Sequence, residues 1–214
     1  MTKLFFSVLF LAVALFFTHC KKEGVTGPAG PQGETGNANV KVDTFRLTNT
    51  QWQTGGTYVL DHVVNGYMWS NTRFHERAFP SITQDILNTG MVLCYFTPSI
   101  TFNASNWVPL NYSMLSPNDN YFYNIAYETA AGKVKLHYYY RTNDDGVTAP
   151  SISAAVIPVY RFKIVAVSGS IATGRMMPGA TPAKLFYLKG KDYTEADLKA
   201  MAYVDVCRLL DITP

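Results

Sequence analysis

Glycine stands at every third position from Gly24 to Gly36, in the triplets Gly-Val-Thr, Gly-Pro-Ala, Gly-Pro-Gln, Gly-Glu-Thr and Gly-Asn-Ala. Such a run gives a hydrophobic core almost nothing to bury, and glycine loses more backbone freedom on ordering than any other residue. The period is that of the collagen triple helix, where only hydrogen fits at the axis shared by three chains. With only Pro28 and Pro31 to stiffen the five triplets, Gly24, Gly27, Gly30, Gly33 and Gly36 are expected to form a semi-extended spacer. A homotrimer is the alternative, should the segment beyond the spacer itself trimerise. At ~3.1 Å per residue, Lys21 to Ala38 reaches ~55 Å. Whatever packs into a core must lie after Ala38.

The residues ahead of the triplets carry an address. Lys3 supplies a positive charge, and Leu4 to Phe17 is apolar apart from Ser7. That length falls short of the ~20 residues a helix needs to cross a ~30 Å hydrocarbon layer, and it suits the apolar region of an export signal. Phe17-Thr18-His19-Cys20 closes the segment, followed by Lys21 and Lys22. The arrangement resembles the lipobox of bacterial lipoproteins, whose cysteine becomes the acylated first residue of the mature chain. It departs from the usual pattern at Phe17 and His19, where leucine and a small residue are customary. An ordinary secretory signal and an uncleaved anchor are the other two readings. The lipoprotein reading is preferred because no A-x-A-like site follows and a tether does. Acyl chains on Cys20 would hold the protein to a membrane, at ~0.8 kcal/mol for each buried CH₂.

Residues 1–19 are therefore expected to be a signal peptide, 20–38 the lipidated cysteine and spacer, and 39–214 a single β-rich domain. No second Pro/Gly-rich linker or charge run interrupts the latter. Losing the signal removes only Lys3 and lowers the formal net charge from +3 to +2. So mild a balance argues against a nucleic-acid partner, which calls for a concentrated basic face. Cys94 and Cys207 remain; an oxidising compartment permits a bridge, but small buried thiols are the preferred reading.

Tyr, Phe, Val, Ile and Thr dominate beyond Asn39, punctuated by Gly, Asn, Asp and Pro, which is strand-and-turn composition. Asn39 to Thr48 alternates, with Phe45 and Leu47 opposite Val40, Val42 and Thr44. Thr57 to Val64 ends at an Asn65-Gly66 turn signal. Gly66 to Trp69 begins another apolar stretch. Ile86 to Gly90 reads as a turn into Met91–Phe96, a strand apolar on both faces and so central. Ile100 to Phe102 and Trp107 to Leu110 are short, and Pro109 marks an edge or bulge. Tyr121–Glu128 leads through Ala131-Gly132 into Lys133–Arg141, where Val134, Leu136, Tyr138 and Tyr140 oppose Lys135, His137, Tyr139 and Arg141. Val156–Val167 follows, with Phe162, Ile164 and Ala166 on one face. These eight or so strands predict an all-β antiparallel sandwich, jelly-roll or Ig-like. Thr194 and Asp197 form a capping box for a helix over Glu195–Met201. A further turn or two from Tyr203 would place Val204, Cys207, Leu210 and Ile212 against the sandwich as a helical plug.

Catalytic signals are weak. His75-Glu76 opens like HExxH, but position 79 is Phe. His62 beside Asp61 would point to the opposite face of a strand, and His137 falls on the expected outer face of its hairpin. All three are expected to be ordinary surface or partly buried histidines. Asp119 and the pair Asp144-Asp145 have oxygen ligands suited to Ca²⁺, but turns account for them. Cys94, in the most apolar strand, is a poor nucleophile. No metal, cofactor or catalytic residue is assigned. Trp52, Trp69 and Trp107 are candidates for a sugar-stacking platform if exposed, although tryptophan is usually buried.

Taken together, the signal, the cysteine, the triplets and Ala38-Asn39-Val40 resemble short collagen-repeat lipoproteins of unknown function, numerous in one phylum of Gram-negative bacteria. The resemblance continues at Ile82–Tyr95, Trp107–Leu110, Tyr160–Val165 and Tyr203–Ile212, and covers nearly the whole chain. It implies an outer-membrane-anchored β-domain on the periplasmic or surface face, and it brings no catalytic residues. The expected function is a binding or envelope-structural module for an unknown protein or glycan ligand. A surface glycan-binding or glycan-active protein is the competing class.

Overall fold

The computed structural model describes residues 39–63, 66–97, 107–117, 120–143, 148–171 and 184–214. Cys20, the five spacer glycines, Ile100–Phe102, Asp119, Asp144 and Asp145 lie outside the described residues. The described residues belong to a compact unit, Thr35–Pro214.

The alternation at Lys133–Arg141 produces the hairpin it predicts. β7 (Tyr121–Ala130) and β8 (Lys133–Thr142) pair from Tyr121↔Thr142 to Ala130↔Lys133. Gly132, at φ +78°, supplies the left-handed residue the tight turn requires. On the inner face, Val134, Leu136 and Tyr138 are buried beside Ile125. β3 (Gly66–Ala78) flanks β8, with β2 (Gln53–Val63) outside it, and β6 (Tyr112–Leu115) flanks β7. The order of this five-stranded sheet is β2-β3-β8-β7-β6.

A second antiparallel sheet has the order β1-β9-β4-β5, from β1 (Val40–Leu47), β9 (Tyr160–Val167), β4 (Met91–Phe96) and β5 (Val108–Pro109). Every residue of β4 is buried, as its unbroken apolar run predicts for a strand covered from both sides. Val92, Cys94 and Phe96 join Phe162, Ile164 and Ala166 of β9 in the core shared with the five-stranded sheet. Met91, Leu93, Tyr95, Val165 and Val167 enter a second core on the opposite face. β5 is an edge strand, as Pro109 requires. The fold is an all-β sandwich with short C-terminal helices.

That second core is closed by β10 (Ser170–Ile171), β11 (Lys184–Leu188) and β12 (Lys191–Thr194), a small sheet, and by two helices. α2 (Glu195–Ala200) starts at the expected capping box: the Asp197 amide donates to Thr194 Oγ1 at 3.2 Å, and the Thr194 amide to Asp197 Oδ2 at 2.8 Å. α3 (Tyr203–Leu210) buries Tyr203, Val206, Cys207 and Leu210. Val204, expected to face the sandwich, is 49% exposed instead, and Val206 takes the inward position. Tyr203 sets this phase, its ring meeting Tyr95 edge-on at 4.8 Å and lying 6.0 Å from Trp107. Lys163 lies buried beneath these rings, 4.7 Å from the Trp107 centroid, and donates to the Tyr203 hydroxyl and the Thr213 carbonyl.

Two expectations about segments change. Ile86–Gly90 is not simply a turn: Gln84–Thr89 forms a helix, α1, which the Thr83 hydroxyl caps by accepting the Ile86 amide at 3.2 Å. Gly90 ends it where a Cβ would lie 2.3 Å from the Val167 carbonyl oxygen, so glycine is needed for close approach to β9. Val156–Val167 is a strand only from Tyr160; Val156 is 82% exposed, and Ile157 turns into the core.

Candidate binding cleft

β5 and β6 belong to different sheets, and the residues between them carry the chain across the open edge of the sandwich. The Leu110 amide donates to the Cys94 carbonyl at 2.9 Å, on the β4 side. Asn111 Oδ1 accepts the Tyr127 amide at 3.3 Å, on the β7 side. This corner leaves a cleft of about 560 Å³, lined by β4, Pro109–Asn111, Tyr127–Thr129 of β7 and Lys199 of α2. Tyr127 crosses its floor and donates from its hydroxyl to the Val92 carbonyl at 3.0 Å. Burial pushes the Tyr127 phenol well above its ordinary pKa of 10.0.

Glu128 connects the cleft to a buried polar chain on the outer face of the five-stranded sheet. Its Oε2 lies 3.2 Å from His137 Nε2, and His137 Nδ1 lies 3.1 Å from Thr72 Oγ1. With Glu128 ionised, Nε2 carries the proton and the Thr72 hydroxyl donates to Nδ1. The Tyr58 ring covers the imidazole at 5.0 Å, and its hydroxyl is bonded to the Asn111 side chain. Burial and the Glu128 charge raise the Tyr58 pKa. Burial pushes the His137 pKa down, against the pull of Glu128.

His137 is thus fully buried, a correction to the expectation of a surface or partly buried histidine. Its face does point away from the core, but Tyr58, whose ring also packs on Tyr139 at 5.5 Å, roofs it over. The hydroxyl–imidazole–carboxylate chain looks like a nucleophile relay, yet Thr72 is only 1% exposed and no substrate can reach it. Hydrogen bonding and fixing the outer face are what this chain can do.

The other sequence candidates separate. His75 Nδ1 donates to the Gln51 carbonyl at 3.1 Å, while Glu76 pairs with Lys133 at 3.0 Å. Adjacent on β3, they diverge as strand neighbours must. The His62 side chain lies outside the described residues. Cys94 and Cys207 are unbridged thiols in the two different cores. Burial raises the pKa of both, with Tyr203 and Lys163 opposing it at Cys207. Trp52 and Trp107 are buried at 3% and 6%, so no three-tryptophan platform exists; Trp69 alone of the three is exposed, at 56%. Among the described residues no group of three or more His, Cys, Asp or Glu could hold a metal ion.

Glu128, Asn111, Tyr58 and Lys199 escape a reading confined to motifs. The register of the β7–β8 hairpin carried a signal: it sets Ala126 opposite His137 and Glu128 opposite Lys135, placing small and acidic residues beside the histidine. No family model, curated protein or solved structure matches the chain.

Proposed function

We propose that the protein is a lipid-anchored, extracytoplasmic binding or envelope-structural module of the outer membrane, held by Cys20 and acting without catalysis. The observation that carries the binding half is the state of the cleft's acid–base groups. Glu128 is bonded to His137, Lys199 pairs with Glu195 at 2.6 Å, and burial holds the Cys94 thiol protonated. What these groups offer a ligand is shape and hydrogen bonds rather than proton transfer or nucleophilic attack. The anchoring half rests on the apolar segment that ends at Cys20 and on the glycine spacer after it. In this arrangement a fully extended spacer would let the sandwich stand up to ~55 Å from the bilayer.

Intact-mass measurement on a bacterial membrane fraction tests the anchor, beside a Cys20→Ala chain. Acyl mass on Cys20, with the substituted chain lost from the membrane, is the expected result. An unacylated soluble wild type overturns the anchored module.

A further inference from the structure

A second cleft forms where the β2–β3 hairpin outruns its sheet. β3 pairs with β8 only over Arg73–Ala78, so Gly66–Thr72 continues with β2 alone. Trp69 and Asn71 share the face of Arg73, by strand alternation the face that lower down closes the core. Here the opposing layer is not β1 or β9 but the chain after Ala149. The Arg73 guanidinium fixes that chain by donating to the Ala155 carbonyl at 2.5 Å. The resulting space, about 520 Å³, has Trp69 and Asn71 on one wall and Pro150 and Ser151 on another, with Tyr140 between.

Its chemistry is selective. Among the described residues, no side chain lining it carries a charge. Trp69 is 56% exposed and continues the apolar surface of its cross-strand partner Val59, itself 44% exposed. The Trp69 indole and the Asn71 amide are both exposed on this wall. Tyr140 is fixed by edge-on contacts with Tyr121 and Tyr138, at 62° and 74° between ring planes. A charged ligand would lose its hydration with no countercharge among these described residues to replace it. An acyl chain would take the exposed Asn71 amide out of water with nothing to bond it. A ligand with a flat C–H face and a rim of neutral hydroxyls matches both the indole and its surroundings.

We propose that this cleft binds an uncharged saccharide unit, its ring stacked on Trp69 and its hydroxyls bonded to Asn71 and Ser151. The proposal deepens the binding-module reading and rests on it, but its site is separate from the Glu128 cleft. The test uses the full chain in a detergent without a sugar headgroup, applied to a printed array of neutral, sialylated and sulfated oligosaccharides. Binding to neutral oligosaccharides is expected, falling about tenfold or more in Trp69→Ala and partly restored in Trp69→Phe. Tyr187→Ala, which removes a ring 72% exposed on β11, leaves binding unchanged. Unfolding midpoints of all three variants check that each chain is folded. Absence of neutral-glycan binding, binding confined to charged glycans, or binding undiminished in a folded Trp69→Ala overturns the proposal. Failure here leaves acylation of Cys20 standing, and an unacylated chain that binds the array fails only the anchor.

Discussion

His137 keeps its place in the sheet as a neutral ring. Buried under Tyr58 and facing Thr72, Glu128 and the neighbouring Lys135, it has a pKa below the ordinary 6.5, because burial outweighs the attraction of Glu128. The unfolded chain therefore binds a proton at a higher pH than the folded one. Stability from this residue is complete above pH 6.5 and declines as pH falls below that value. Urea midpoints compared between pH 7.5 and pH 5.5 are expected to fall, and to fall less in His137→Gln, which cannot titrate. Glu128→Gln removes the group that favours the charged ring, so it is expected to steepen the loss; a shallower loss would contradict this assignment. The cysteines make a second prediction at the same scale. Cys94 and Cys207 are buried on opposite faces of one sheet, so neither is expected to react with iodoacetamide in the folded protein. Both should react in guanidinium without a reductant, whereas a disulfide would block that labelling. Their burial was legible from the apolar residues around them; the cover over His137 was not, because Tyr58 comes from a strand 79 positions earlier.

Elements were legible where a local rule acts alone. The Thr194–Asp197 box and the Lys133–Arg141 alternation needed no tertiary information, and both formed as written. β10, β11 and β12 have two to five residues each, too few to declare a period, and exist because they cover the second core. α1 is only six residues long and was hidden by Asn88-Thr89-Gly90, which reads equally well as a turn. In α3 the helix was legible but its rotation was not, since a stripe through Val204, Cys207 and Leu210 fits the period as well as the observed one. The observed phase has a measurable consequence. Leu210→Ala, at a fully buried position, is expected to lower stability by about 2–5 kcal/mol. Val204→Ala should change it by less than about 0.5 kcal/mol. Arg73 tests the other end of the sandwich. Its guanidinium donates to the carbonyls of Asn49, Trp52 and Ala155, tying two segments that lack strand pairing there, 49–52 and the turn ending at Ala155, to β3. Arg73→Met leaves those buried acceptors short of donors and is expected to cost about 2–4 kcal/mol in chemical unfolding.

At the scale of the molecule, sequence pattern indicated sheets facing each other but not their order, because β1 pairs with β9 more than a hundred residues away and alternation says nothing about distant partners. The assembled sheets do bear on whether the glycine triplets join three chains. Sheet edges are the readiest route to association, and each edge of the two large sheets is blunted. β1 carries Lys41, Asp43 and Arg46 along its length, and β5 has two residues, one of them Pro109. β2 changes register at two places, and β6 has four residues. With those edges blunted, strand pairing between copies would give a trimer little, and the triplets would have to supply much of the rest with five glycines and two prolines. The full chain is therefore expected to have a monomer's mass in light scattering with detergent subtracted. Replacing Gly27, Gly30 and Gly33 together by alanine separates the two roles of the run. In a spacer, alanine removes flexibility but no contact, so mass and unfolding midpoint stay as they were. In a triple helix, three methyl groups would be forced onto an axis with room only for hydrogen. A trimer in the wild type that falls apart in this variant would assign the run to assembly rather than reach.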